Sequence, residues 1–258
     1  MIIPPLTFTF LGTGTSAGVP MIGCNCEVCQ SDNNKDRRLR SSLLVQSNTT
    51  TIVVDTTPDF RYQMLRQKNT KLDAVIYTHS HKDHIAGLDD VRAYNYFQQQ
   101  AMPIYATPFT QGIIKQEFAY CFSNSKYPGI PELQLINMPN NLFYIGNIPV
   151  TPINLLHHKM PVLGFRFGKF VYITDANYIS EAEKEKILGA DVLVLNALRK
   201  EQHISHFTLQ QAVDLAIEVA VPEVYFTHIS HQLGLHNAIN SQLPHHIQLA
   251  HDGLSVSI

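Results

Sequence analysis

The stretch that decides the fold is AVIYTHSHKDHIAG, residues 74–87, in which an apolar run passes directly into a cluster of ligating side chains. The run AVIY has the β-branched and aromatic residues of a strand. Side chains of an extended segment alternate, so His79 and His81 point the same way, while a turn after them redirects the rest. One short loop can therefore supply two adjacent metal ions with ligands, namely His79, His81, Asp83 and His84.

Two metal ions need more donors than this loop contains, and the second half of the chain offers them at the ends of predicted strands. His157 ends IPVTPINLLH, Asp175 ends KFVYITD and His228 ends EVYFTH. Each one alone is more often a hydrogen-bonded turn residue, but their shared placement favours one site. His158 competes with His157, because adjacent strand residues face opposite ways and only one can reach the site.

Strand-like runs and helical patterns alternate along the whole chain, with no linker or charge block between them. The predicted strands are TFTFLG, SLLVQS, TTIVVD, AVIYTH, IPVTPINLLH, VLGFRFG, KFVYITD, ADVLVLNA and EVYFTH. The predicted helices are PDFRYQMLRQ, DDVRAYNYFQQQ, SEAEKEKIL and FTLQQAVDLAIEVA. This alternation predicts an α/β protein of one domain, residues 1–258, in which helices cover sheets.

The composition narrows the class of protein. Of 258 residues 45% are hydrophobic, and 19 Lys and Arg stand against 21 Asp and Glu. The apolar fraction excludes disorder, and the absence of a basic excess argues against binding of long nucleic acid. The start MIIPPLTFTF has no basic leader, and no apolar run approaches the ~20 residues of a membrane span. We therefore expect a cytoplasmic protein without a membrane partner.

Three of the four cysteines, Cys24, Cys26 and Cys29, fall within six residues. This spacing is too tight for a disulfide framework and suits a metal site in a reducing compartment. A zinc-finger-like reader of nucleic acid is the alternative from another class, but a second Cys/His pair nearby is missing. Cys121 stands apart, and we expect it to be a buried apolar residue.

H-x-H-x-D-H after a strand, followed by His, Asp and His at later strand ends, resembles the metallo-β-lactamase superfamily, and the likeness runs from residue 8 to about 231. It implies a four-layer αβ/βα sandwich with a metal pair at the common edge of two sheets. It also implies the ligands: His79, His81 and His157 for one ion, Asp83, His84 and His228 for the other, and Asp175 as the bridge. The stretch HHKMPVLGFR matches H-x-x-x-P-x-L-G-[FY]-R of similar members, which places the ligand at His157.

Two segments are similar to the cyclic phosphodiesterases of the bacterial carbon–phosphorus lyase pathway. LGTGTSAGVP followed by GCNCEVC resembles their amino-terminal region. The resemblance implies a structural zinc in a loop near residues 23–30. Such a Cys3His set is closed to substrate and stabilises the fold, and free thiols in a loop are the plainer alternative. Its ligands would be Cys24, Cys26, Cys29 and His231.

The second segment begins at His206 and resembles the H-x-T segment in which those phosphodiesterases keep a catalytic histidine outside the metal shells. We expect His206 to open the helix that ends at Ala220, where the helix N-terminus favours anions. His203 competes for this role, and a purely structural turn histidine is the other alternative. Asp55, which ends TTIVVD, is expected to orient a metal-bound imidazole by accepting its far N–H, although a buried turn aspartate is almost as common.

Together, these expectations predict a binuclear metal-dependent hydrolase with His206 and Asp83 as catalytic residues. Two Zn or Mn ions would lower the pKa of a shared water toward roughly 7, and the hydroxide would attack phosphorus. The expected substrate is a small phosphodiester, cyclic phosphates included. The alternatives are a tRNA 3′-processing endonuclease, whose basic Gly-rich arm is missing here, and a thioester or lactam hydrolase. A homodimer is suggested by the resemblance alone.

Overall fold

Two seven-stranded mixed sheets form the centre of the computed structural model, which describes residues 4–123 and 127–258. Parts of the predicted domain, residues 1–3 and 124–126, lie outside the described residues. The strands are β1 Thr7–Gly12, β2 Ser42–Gln46, β3 Thr51–Val54, β4 Ala74–Ile76, β5 Met102–Ala106, β6 Leu133–Asn137, β7 Phe143–Ile145, β8 Ile148–His157, β9 Met160–Phe167, β10 Phe170–Tyr172, β11 Val192–Asn196, β12 Glu223–Thr227, β13 Ile247–Leu249 and β14 Ser255–Ser257.

The helices lie on the outer faces of the two sheets. Short 3-10 turns occur at Asn34–Asp36, Leu88–Val91, Ala119–Phe122 and His231–Leu233. The α-helices are α1 Phe60–Arg66, α2 Lys82–Ile85, α3 Arg92–Gln98, α4 Pro108–Glu117, α5 Glu181–Lys184, α6 Leu209–Val219 and α7 His236–Asn240. None of these helices combines the length and the apolar character needed to cross a bilayer.

Both sheets combine antiparallel hairpins with a parallel half. The first has the order β14-β1-β2-β3-β4-β5-β6, and the second has the order β13-β12-β11-β10-β9-β8-β7. Strands β3 to β6 run parallel to one another, as do β10 to β13. Since carboxyl ends of parallel strands meet at one sheet edge, the loops after β3, β4, β10 and β12 collect there.

Three apolar cores separate four layers. The inner core packs the two sheets face to face, and the rings of Phe8 on β1 and Phe170 on β10 stack there with centroids 3.7 Å apart. A second core lies between the first sheet and α1, α3 and α4, where Phe60, Met64 and Ile114 are buried. The third lies between the second sheet and α6 and α7. The αβ/βα sandwich expected from the sequence is thus confirmed.

Helix α6 begins later than the sequence analysis expects. Thr208 caps it, because its hydroxyl accepts from the backbone N–H of Gln211, and the Gln211 side chain accepts in return from the N–H of Thr208. Such a capping box satisfies two N–H groups that the first turn leaves free. The prediction that His206 opens this helix is therefore wrong: His206 lies two residues before the cap, in the preceding loop.

Candidate metal centre

Polar side chains meet where five strands end at the common edge of the two sheets. Asp55 follows β3, His79 comes shortly after β4, His157 is the last residue of β8, and Asp175 and His228 follow β10 and β12. The loop after β4 turns at once into α2, whose first residues include Asp83 and His84. The structure thus brings together all seven side chains that the sequence predicts as metal ligands.

A first donor group consists of His79, His81 and His157. One ring nitrogen from each lies within 4.8 Å of the others. The ring centroid of His81 lies 4.7 Å from that of His79 and 5.1 Å from that of His157. Three imidazoles at such distances can surround one divalent ion.

A second donor group lies beside the first and contains Asp83, His84, Asp175 and His228, again within 4.8 Å of one another. The carboxylate Oδ2 of Asp175 is 3.3 Å from Nε2 of His84 and 3.1 Å from Nδ1 of His228. Asp175 also groups with His157 and His206 within the same limit. The carboxylate of Asp175 therefore lies between the two groups, where it could contact both ions.

The chemistry of these residues fits divalent ions. The Nε2 atom of His79 is buried and has no hydrogen-bond partner among the residues that the structure describes. A buried polar atom without a partner is costly, and a metal ion would remove that cost. Burial opposes a charge on His84, yet the carboxylates of Asp175, Asp83 and Asp55 hold its pKa well above the ordinary value. The site thus already favours positive charge at this position.

Asp55 supports the second group from behind. Its Oδ2 accepts from Nδ1 of His84 at 2.8 Å and from the hydroxyl of Thr78 at 2.7 Å. Its Oδ1 accepts from the backbone N–H of Thr78 at 2.9 Å. Because Nδ1 of His84 carries the donated proton, Nε2 is left to face the donor group. This is the orienting contact that metal-binding histidines commonly receive.

The choice between His157 and His158 is made by the turn that joins β8 to β9. His157 is buried, and its Nδ1 lies 2.8 Å from the carbonyl oxygen of Ser205, so Nδ1 donates and Nε2 can bind a metal. His158 has φ +58° and is exposed. Its backbone N–H donates to the side chain of Asn177. The structure therefore places His157 in the site and His158 outside it.

His206 lies against both donor groups. Its ring centroid is 4.6 Å from that of His157 and 4.8 Å from that of His228. Nδ1 of His206 is 3.9 Å from Asp175 Oδ1 and has no hydrogen-bond partner in the described part of the chain. Burial lowers the pKa of His206 to about 3, so the ring is neutral. His203 is only half-buried and contacts Ser205 instead.

Three of the site residues have a backbone conformation that side chains rarely adopt. Asp55, Asp175 and His228 have φ of +64°, +54° and +55°. A left-handed residue other than glycine costs of order 1–3 kcal/mol, although Asp and His tolerate it better than most. This conformation lets the chain leave the strand sharply, so the side chain stays at the sheet edge while the loop turns away.

Hydroxyl groups that were not predicted from the sequence surround these ligands. Thr174 Oγ1 donates to Asp175 Oδ2 at 2.6 Å, and Thr78 Oγ1 is 3.0 Å from Nδ1 of His79. Thr15 Oγ1 lies 3.2 Å from Nε2 of His228. A signal existed, because a threonine directly precedes three of the strand-end ligands, in Thr78-His79, Thr174-Asp175 and Thr227-His228.

A third donor group lies away from the strand ends and contains Cys24, Cys26, Cys29 and His231 within 4.8 Å of one another. Nδ1 of His231 is 3.3 Å from Sγ of Cys26, and this contact lowers the pKa of the Cys26 thiol to about 6. Cys121 is half-buried rather than buried as expected, because it sits at the margin of the core beneath α4.

One family model and several solved structures match this chain. The family model for the beta-lactamase superfamily domain matches residues 50–229. The crystal structure of a new diphosphatase from the PhnP family is 41% identical, covers 98% of this chain and 97% of its own, and superimposes with a TM-score of 0.93. Human tRNase Z, short form, shows only the same fold, with 20% identity, 98% and 99% coverage and a TM-score of 0.67.

Among curated proteins, an octanoyltransferase of Porphyromonas gingivalis is 38% identical over 251 residues. That match takes in 96% of this chain but only 51% of the relative. The chain thus spans about half the length of this relative.

Proposed function

The chain belongs to the beta-lactamase superfamily, as a metal-dependent hydrolase close to the PhnP family, and from this premise we propose that it hydrolyses small phosphodiesters, cyclic phosphates included. The observation that carries the proposal is the pair of adjacent donor groups with Asp175 between them and His206 beside them. Two cations held side by side suit a phosphodiester, which brings negative charge on oxygens that both cations can contact.

The superfamily fold implies divalent metal binding, and the proposed ligands are those that the resemblance implies. His79, His81 and His157 would hold one ion, and Asp83, His84 and His228 the other, with Asp175 in contact with both. Mixed imidazole and carboxylate sets suit either Zn or Mn. Bound there, the ions would supply Lewis acidity and lower the pKa of bound water.

His206 is proposed to donate a hydrogen bond or a proton to the departing oxygen. Its ring lies next to ligands of both donor groups but belongs to neither group. Its Nδ1 has no partner among the described residues. A neutral imidazole can donate a hydrogen bond from one nitrogen without charging the site. Asp83 is the other proposed catalytic residue, since its carboxylate is less buried than that of Asp175.

Zinc is proposed for the cysteine group, because three thiols and one imidazole form the closed tetrahedral set that structural zinc prefers. His231 follows His228 by three residues, and Ser230 between them caps the short turn His231–Leu233. Fixing His231 would therefore hold the loop that carries His228. This ion would thus position His228 and would not contact the substrate.

The test is a substrate panel with the full-length chain loaded with Mn or with Zn. Bis(4-nitrophenyl) phosphate and 2′,3′-cyclic nucleotides should be hydrolysed, and an acyl thioester, a β-lactam and a tRNA precursor should not. The control variant His245→Ala removes an exposed imidazole that belongs to none of the donor groups, and it should keep this activity. Activity on the thioester or the lactam alone would contradict the proposal and favour an acyl substrate.

A further inference from the structure

The donor groups open to the surface through a hollow of about 500 Å³, which we call the mouth. Its wall includes His81, His157, Lys159, Met160 and Ile204, and none of its lining residues is acidic. Lys159 is exposed, and its ammonium has no partner among the residues that the structure describes. The charge of the mouth therefore suits an anion.

A second hollow of about 490 Å³, which we call the side groove, adjoins the mouth. Met160 lines both, so the two hollows are neighbours on either side of one side chain. Strand β9 forms its floor, and the backbone N–H of Leu163 donates to the carbonyl of Thr78, the residue before His79. The floor of the side groove is thus hydrogen-bonded to the residue that precedes His79 of the first donor group.

The side groove is apolar, unlike the mouth. No charged residue lines it. Its walls are formed by Pro108, Phe109, Met160, Pro161, Val162 and Leu163, and its polar lining residues are Thr107 and Asn154. Phe109, near the beginning of α4, is 65% exposed. An aromatic ring left in water beside a polar site is a feature of ligand grooves, and the volume of the groove is in the range of small-molecule pockets.

We propose that the side groove binds the apolar group that stays on phosphorus when the diester is cleaved, with Phe109 and Met160 as specificity-determining residues. This inference rests on the function proposed above. It names the substrate class: phosphodiesters with one aryl or similarly flat apolar substituent.

The positions of His206 and Met160 decide which group enters the side groove. Ile204 and Ser205, next to His206, line the mouth but not the side groove, whereas Met160 lines both. The oxygen that departs must lie near His206 to receive its hydrogen bond or proton. In hydrolysis a P–O bond forms to water, the P–O bond to the leaving group breaks, and the leaving group takes a proton. The retained ester is therefore the part left to face Met160 and Phe109.

The experiment compares two diesters that release the same group, bis(4-nitrophenyl) phosphate and methyl 4-nitrophenyl phosphate, with the Mn-loaded full-length protein. The first retains an aryl group and the second a methyl group. We expect the kcat/KM for bis(4-nitrophenyl) phosphate, divided by that for methyl 4-nitrophenyl phosphate, to fall about tenfold in Phe109→Ala and in Met160→Ala. The fall should be smaller in Phe109→Leu. Phe109 is mostly exposed, so its replacement leaves the fold intact.

The matched control is Tyr96→Ala, which removes an aromatic ring that is 71% exposed on α3 and lines neither hollow. Its ratio should equal that of the wild type. Hydrolysis of both diesters with an unchanged ratio in both Phe109→Ala and Met160→Ala would overturn this inference alone. No hydrolysis of either diester by the wild type would overturn the proposed function, and the inference with it.

Discussion

At the scale of single residues, the site separates ligands from groups that act beside them. Seven donors form two sets, and His206 contacts both sets through its ring, with centroids 4.6 Å from His157 and 4.8 Å from His228. Replacing a metal ligand should reduce both metal content and activity, whereas replacing His206 should reduce activity alone. Mutations can therefore assign these roles one residue at a time.

His206→Ala should lower kcat for bis(4-nitrophenyl) phosphate by about 10² to 10⁴-fold, because a positioned general acid typically contributes that much. Metal content, measured by inductively coupled plasma mass spectrometry, should stay at the wild-type value. Asp175→Ala is the contrasting variant and should lose metal as well as activity. Full turnover in His206→Ala would remove this histidine from the reaction.

Asp55→Asn should weaken metal binding by about 10- to 100-fold, the usual effect of losing a partner that orients a ligand. The amide keeps the size of the carboxylate but can accept at one oxygen only, whereas Asp55 accepts from His84 at one oxygen and Thr78 at both. The measurement is a Mn titration of the metal-free protein followed by calorimetry. An unchanged dissociation constant would reduce Asp55 to a turn residue.

The ligands could be predicted from the sequence because their residue types and spacing are unusual. The choice between His157 and His158 could not be made from chemistry alone, since it depends on a turn that places one ring inside and the other outside. The hydroxyls of Thr15 and Thr174 were missed because threonine is common at strand ends and its role appears only once its neighbour is known.

At the scale of elements, the strands that carry ligands were the ones most visible in the sequence. β8 has the predicted bounds, Ile148–His157, because its apolar run is long and bounded by turn residues. Strands β5 and β6 and helix α4 were not predicted, although α4 begins at a proline after a capping threonine. The apolar residues of β6 and α4 are interrupted by polar ones, and β6 is an edge strand without a fully buried residue. β5 contains Pro103, and a proline inside a run argues against a strand.

A close backbone approach behind α2 gives a prediction at this scale. A Cβ at Gly87 would lie 2.1 Å from the carbonyl oxygen of Thr57 and 2.7 Å from Cβ of Phe60. Gly87→Ala should therefore destabilise the protein by about 1–3 kcal/mol, since the backbone must move to admit the methyl group. The measurement is urea unfolding.

Gly112→Ala is the matched control for that substitution. Gly112 lies inside α4, and nothing stands within 4 Å of the position that its Cβ would take. The free energy of unfolding should rise by about 0.5–1 kcal/mol, because alanine loses less backbone entropy in a helix than glycine. Equal stability of the two variants would show that the loop after α2 adapts freely.

At the scale of the whole molecule, each donor group joins the two sheets. In the first group His79 and His81 follow a strand of one sheet, and His157 ends a strand of the other. In the second group Asp83 and His84 belong to the first half, and Asp175 and His228 to the second. The cysteine group repeats the pattern, with His231 following β12 and its thiols following β1. Bound metal would thus hold the halves together at one edge.

Removing the metal should therefore lower the stability of the entire fold. A ligand present at 100 times its dissociation constant stabilises the folded state by about 2.7 kcal/mol, and in a chain of this size each kcal/mol shifts Tm by roughly 2–4 °C. Treatment of the Mn-loaded protein with a chelator should then reduce Tm by about 5–10 °C in differential scanning calorimetry.

The contribution of the strand-end ions can be separated from that of the cysteine group with two variants. Asp175→Ala should begin with a lower Tm and lose on chelation only the part that the cysteine group contributes, because its carboxylate lies between the two strand-end groups. Cys26→Ser should keep the chelator response of the active site, since its thiol belongs only to the third group. If chelation leaves the Tm of the wild type unchanged, the two sheets are held by their apolar core alone, and the donor groups serve the reaction without supporting the fold.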